Sequence, residues 1–266
     1  MKELTQKLIG GVHAGLLNRG WPDRLGLYFH NVEAGERAAF SETIRRLRSE
    51  GYRFVGANEY VRTDTKSGGR VAFLSFDDNY VDWHEMIPLL EELDVQAAFY
   101  VNTGPMRDWA TDSEIAAYYE DRLRYKGSRT RPLSSAEVRE LRDAGHTIGV
   151  HTHNHFVLSE LPFETAKEEI YICRDHLEQM LGQRMRHFSY PFGMRRHFST
   201  ELQSYCLELG FETIARATPG LLHERFDGVT IQRTDWRLGD AFDANRVRMS
   251  VDGHVFERLT GRSAVS

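Results

Sequence analysis

The decapeptide VAFLSFDDNY, Val71–Tyr80, decides how this chain is read. It begins as an apolar run of strand length and stops abruptly on two adjacent aspartates, Asp77 and Asp78. Taken alone, the pair reads as a turn or a helix N-cap, with Asp78 capping a helix that starts near Tyr80. Yet two carboxylates in a cleft repel each other, so one must find a cation or keep its proton. A bound metal resolves the conflict: one carboxylate ligates it and the other stays free as a base.

Outward from this stretch, short apolar runs alternate with helical patterns. Strands are expected at 24–30, 70–76, 96–101, 146–150, 185–190, 211–216 and 228–233. Helices are expected between most of them. In AAFSETIRRLRSEGY, Phe40, Ile44 and Leu47 share one face, and Pro88 is placed to kink VDWHEMIPLLEELDV. SSAEVRELRDAG carries a Ser cap, Glu137 at the capping-box position and Gly145 as a stop. PFETAKEEIYICRDHLEQMLG and STELQSYCLELG follow. Repeated βα units imply parallel strands with right-handed crossovers, and seven of them suggest a barrel-like α/β fold rather than an open sheet. No composition break marks a second domain, so 1–266 reads as one domain, with 1–23 an N-terminal helix and 103–132 a rim or lid insertion.

Composition narrows the class. The 266 residues are 41% hydrophobic and 27% charged, a globular rather than a disordered profile. A net charge of -5 with scattered arginines gives no basic field for nucleic acid. Cys173 and Cys206 form no CxxC pair and read as small hydrophobes on helix faces. No run approaches the length of a membrane span and no signal peptide is evident, so the expected compartment is the cytoplasm. Peripheral membrane contact through the first helix stays open, and nothing speaks to an oligomer.

Polar clusters follow five of the expected strands: His30–Asn31, Asp77–Asp78, HTHNH at 151–155, PFG at 191–193 and TDW at 234–236. In a parallel barrel these strand ends share one face, where active sites are built. A helical turn would put His151 and His155 on one side, with His153 pointing away. Asp78, His151 and His155 then offer three N/O ligands with a position open for water, the pattern of a catalytic zinc site.

These residues resemble the polysaccharide deacetylases, the NodB-homology or family 4 carbohydrate esterases. The family's first motif is similar to SFDDNY, with Asn79 where glycine is usual. Its H-T/S-x-x-H motif is similar to HTHNH and its R-x-P-Y-G motif to SYPFG, and the resemblance runs from about residue 24 to 236. It implies a single distorted (β/α)7 TIM-like barrel and a divalent metal, usually Zn2+, with Co2+, Ni2+ or Mn2+ as alternatives. It also implies Asp78, His151 and His155 as ligands, Asp77 as general base, and the Phe192 backbone N–H as an oxyanion donor. The implied reaction is removal of an N-acetyl group from an amino sugar in a glycan, lipid-linked or nucleotide-linked substrate, in surface-polysaccharide metabolism. Hydrolysis of another amide, such as a cyclic ureide or a formamide, is an alternative. A non-catalytic glycan-binding member is another.

The sequence also departs from the family pattern. Ser189 stands where many members carry an arginine that orients the base, and RTDW echoes the fourth motif only loosely. The late Leu-x-His that supplies the general acid has no clear match. His30, after the first strand, and His254, in VDGHVFERL, are the candidates; His187 and His197 stay unassigned. Trp109, Tyr118, Tyr119 and Tyr125 either stack on sugar rings or pack beneath the 103–132 segment, the commoner role.

Overall fold

The computed structural model describes residues 21–65, 69–123, 131–218 and 227–250. Among the described residues, nine strands form: β1 (Arg24–Phe29), β2 (Tyr52–Phe54), β3 (Arg70–Asp78), β4 (Ala97–Val101), β5 (Thr147–Val150), β6 (His187–Ser189), β7 (Thr213–Arg216), β8 (Thr230–Gln232) and β9 (Thr234–Asp235). The helices are α1 (Arg37–Ser49), α2 (Ala57–Arg62), α3 (Asp82–Glu85), α4 (Ile87–Glu92), α5 (Asp112–Ala117), α6 (Ser135–Asp143), α7 (Phe163–Leu181), α8 (Thr200–Glu208) and α9 (Phe242–Ser250).

Every strand pairing is parallel, in the order β8-β7-β6-β5-β4-β3-β1-β9. β8 and β9 are one segment, 230–235, broken only at Arg233. Its first half pairs with β7 and its second with β1, so this single kinked strand closes the sheet on itself. The result is the distorted (β/α)7 barrel. β2 is an addition that the sequence reading lacked; it lies against the first residues of β3.

Alternation along β3 sorts the core. Leu74 and Phe76 face the helices, where Phe76 stacks on Phe99 at 5.0 Å. Val71 and Phe73 belong to the inner cluster with Ala98, Tyr100, Ala215 and Ile231. Val55, Ala57, Tyr60 and Val61 join this cluster, because α2 touches β3, β7 and β8 and plugs the barrel from below. That plug seals the end opposite the polar strand ends.

The helix punctuation works as the residues predict. Ser134 caps α6 with Glu137 completing the box, and Gly145 takes φ +87 just beyond it. The helix around Pro88 is broken at Met86 into α3 and α4. Cys173 and Cys206 are buried free thiols. No helix among the described residues is long and apolar enough to cross a membrane. Residues 1–20, most of the expected N-terminal helix, lie outside the described residues, as do 124–130 with Tyr125 and the segment containing His254.

Candidate active site

Register brings the polar clusters together. Asp78 is level with Val101, and Val101 with Val150, so His151 emerges directly above the same layer. The His151 N–H donates to the Val101 carbonyl at 3.1 Å. Nε2 of His151 lies 3.4 Å from Asp78 Oδ1, and Nε2 of His155 lies 3.1 Å from the same atom. One ligand atom from each of the three residues falls within 4.8 Å of the others, and all three side chains are buried.

The donor set fits a divalent cation. Asp78 Oδ1 is buried and makes no hydrogen bond. His151 Nδ1 lies 2.7 Å from the Ser189 carbonyl, which can only accept. That contact fixes the proton on Nδ1 and turns the Nε2 lone pair toward Asp78. Burial holds His155 below its ordinary value, which favours the neutral imidazole that a ligand needs. Burial opposes the charge on Asp78, but the His155 and His151 rings outweigh it and hold the carboxyl well below the usual range.

The two histidines do not sit on a helical turn as their spacing suggested. Thr152 and His155 both adopt left-handed backbone, φ +66 and +58. The loop doubles back and presents both rings to one point. Asp78 at φ +86 and Phe192 at +63 are strained likewise, so four of the five non-glycine positive-φ residues among the described residues ring this site. Asp78 therefore ends β3 and does not cap a helix; α3 begins at Asp82 with no side-chain cap. His153 points away, as expected, with Nδ1 2.9 Å from Thr103 Oγ1.

Asp77 follows the inward face of β3 into the barrel and meets Arg233. The guanidinium forks onto the carboxylate, Nη1 to Oδ1 at 2.6 Å and Nη2 to Oδ2 at 2.8 Å. Nη1 also donates to Ser75 Oγ at 2.9 Å and Nη2 to Ser189 Oγ at 2.7 Å. The rings of Tyr28 and Tyr100 flank it, each 5.2 Å from its central carbon. Gly149 gives Tyr100 its space, since a Cβ there would collide with the Tyr100 ring. Burial would raise the Asp77 carboxyl, but the adjacent Arg233 prevails and holds it below its ordinary value. Asp77 is thus an ionised carboxylate beside Asp78.

Sequence reasoning missed Arg233. In the sequence it stands as the last residue of the expected strand 228–233, and the family resemblance places the arginine at position 189 instead. Ser189 is small because the guanidinium arrives from the opposite strand and needs its hydroxyl as an acceptor. The available signal was a charged residue at the end of an apolar run, immediately before the polar Thr-Asp-Trp cluster.

The remaining expectations sort cleanly. His30 is exposed at the end of β1, its ring 5.6 Å from that of Tyr28. Its backbone carbonyl accepts the Trp83 Nε1–H at 2.6 Å, and its ring is close enough to Asp77, Asp78 and His155 to act on their charges. Phe192 presents a 44% exposed ring 5.0 Å from that of His155. Tyr118 and Tyr119 pack beneath the 103–123 segment: Tyr118 donates to Asn102 Oδ1 at 2.7 Å and Tyr119 to the Asn79 carbonyl at 2.8 Å. Asn79, at the position usually held by glycine, staples the site by donating to the Asn102 carbonyl at 2.9 Å and accepting from Leu133 N–H at 2.8 Å. His187 is buried against Thr213 Oγ1 at 2.9 Å, and Asp235 pairs with Arg237 at 2.9 Å.

Residues 64–214 match the family model for polysaccharide deacetylase. No curated protein matches the sequence. Among solved structures, the Streptococcus pyogenes deacetylase PplD in complex with acetate superposes with a TM-score of 0.66 at 18% identity, over 85% of this chain and 98% of that one. IcaB from Ammonifex degensii gives 0.64 at 20% identity, over 84% and 94%. A de-N-acetylase from Aggregatibacter actinomycetemcomitans gives 0.60 at 14%, over 84% and 98%.

Proposed function

This chain belongs to the polysaccharide deacetylase family, hydrolases of a non-peptide carbon–nitrogen bond, and from that premise we propose that it removes N-acetyl groups from an amino sugar. The observation that carries the reading is one ionised carboxylate, Asp77, gripped by Arg233 next to a second, Asp78, that converges with His151 and His155. We assign a divalent cation, Zn2+ or a similar ion, to Asp78, His151 and His155. Bound there, it would polarise the acyl carbonyl and make a water easier to deprotonate.

The chain's own groups do the rest. Asp77 takes the water's proton; its charge is in place at neutral pH because Arg233 stabilises it. The carboxylate has lone pairs beyond the two that Arg233 occupies. The Phe192 backbone N–H donates to the oxyanion, a contribution of about 3–4 kcal/mol for one such donor. His30 hands a proton to the leaving amine; its place just after β1, which pairs in register with β3 up to Phe29–Phe76, puts it on the same end of the barrel as the two aspartates and supports that role. The exposed Phe192 ring offers an apolar face to the acyl group or the sugar. The acetate named with the streptococcal deacetylase is the product such a reaction releases.

The amino sugar we propose is part of a glycan or carried on a nucleotide or lipid, in surface-polysaccharide metabolism, with the cytoplasm as the compartment. Arg233 supplies the arginine partner of Asp77 that Ser189 does not, which favours the enzyme over a binding-only member. The test is metal content together with turnover. About one zinc-like ion per chain, lost in His155→Ala, is expected, with Asp77→Asn holding metal but losing deacetylation of acetylated amino-sugar oligomers and nucleotide sugars. Full activity of Asp77→Asn would overturn the reading.

A further inference from the structure

The ligand loop 151–155 is held from two sides. Below it, the Asn102 side-chain amide donates to the carbonyls of His151 and Thr152, the latter at 3.0 Å. From α7 comes Glu169, a carboxylate only 6% exposed. Its Oε2 accepts the Asn154 backbone N–H at 2.7 Å and its Oε1 accepts the Asn154 Nδ2–H at 2.8 Å. Its own backbone carbonyl accepts the His153 N–H at 3.0 Å. One buried residue of a long helix thus satisfies three donors in the two residues that precede His155.

The loop needs such a grip. Thr152 and His155 sit in left-handed backbone, a conformation worth of order 1–3 kcal/mol of strain per residue, which persists only where surroundings over-determine it. Within the turn itself, the His155 N–H donates to Thr152 Oγ1 at 3.2 Å. Opposite Glu169, the Gly104 N–H donates to the His153 carbonyl at 2.9 Å, and a Cβ on Gly104 would strike Asn154 Oδ1. Asn154 is therefore clamped between α7 and the loop after β4, and His155 is the next residue.

We propose that Glu169 is a positioning residue for the cation: its carboxylate locks Asn154 so that His155 Nε2 meets Asp78 and His151 in ligating geometry. It touches neither cation nor substrate and acts through the loop. This rests on the Asp78–His151–His155 reading above.

The test titrates Co2+ into metal-stripped wild type, Glu169→Ala and Glu169→Gln, reading affinity against a chromophoric chelator and the visible d–d spectrum. The titration runs well below the urea unfolding midpoint of each variant, so a change in global stability leaves the affinity of the folded chain unaltered. Glu169→Ala is expected to bind Co2+ about 10–100-fold more weakly with an altered spectrum, the usual effect of losing a partner behind a ligand. Glu169→Gln keeps an acceptor for the Asn154 N–H and recovers most of the affinity. If Glu169→Ala fails to fold, Asn154→Ala removes one of the two carboxylate contacts and is expected to weaken Co2+ several-fold. Wild-type affinity and spectrum in Glu169→Ala, or in Asn154→Ala where that variant stands in for it, would overturn the positioning role alone. A wild-type chain that takes up no Co2+ would instead overturn the metal site on which it depends.

Discussion

Replacing Arg233 with methionine tests the site's electrostatic logic most directly. Arg233 has no exposed side-chain surface and Asp77 only 7%, so the variant leaves a carboxylate inside the barrel with no counter-charge. Removing one partner of such a pair costs about 3–5 kcal/mol. A domain of ordinary stability, about 5–15 kcal/mol, survives that loss but shows it plainly. With a urea slope of about 3 kcal/mol/M, the unfolding midpoint of the metal-free protein should fall by about 1–1.7 M. The second readout is the acid limb of kcat/KM on an aryl acetate. In the wild type Arg233 keeps Asp77 ionised below the ordinary carboxylate range. Without it, burial is left to raise that carboxyl, and the limb should move to higher pH. Arg233→Lys keeps the charge but loses the fork and should fall between. The double variant Asp77→Asn, Arg233→Met carries no buried charge at the pair and should regain stability over Arg233→Met. A midpoint shift under about 0.3 M with an unmoved acid limb would refute the account of Asp77.

Three further outcomes are expected. His30→Ala should slow hydrolysis of an acetylated amino sugar by about 100-fold or more, yet spare an aryl acetate whose leaving group needs no proton; equal losses on both would remove His30 as the acid. The Arg131 ion pair and the Ser134 cap hold Glu137 down at about 2. Its folded value lies below its unfolded one near 4.3, so its stabilisation is complete above that pH and is lost as pH falls toward 2; Glu137→Gln should flatten the unfolding midpoint over this window. Gly149→Ala places a methyl against the Tyr100 ring and should cost about 1–3 kcal/mol in urea unfolding, with reduced turnover through the displaced guanidinium.

The strands were legible because each is a short apolar run bounded by turn residues, and the site's core was legible because strand ends in a parallel barrel converge. β2 and α2 were not, since three and six residues carry too little periodicity to register. The geometry of HTHNH was misread because four-residue spacing suggests a helix, whereas left-handed residues at 152 and 155 achieve the same convergence by doubling back. Arg233 escaped for a different reason. Its partner Asp77 is 156 residues away, and only barrel closure, which no local pattern encodes, makes them neighbours.

That closure has a consequence for how the chain comes to life. The segment 230–235 is the keystone of the barrel, bridging β7 to β1, and Arg233 is the residue at its kink. A chain emerging from the ribosome carries Asp77, Asp78, His151 and His155 long before it carries the keystone. Until that last strand is threaded, Asp77 has no counter-charge, and the water-filled, open sheet has no interior in which to hold one. The event that completes the fold is thus the same one that gives Asp77 its counter-charge.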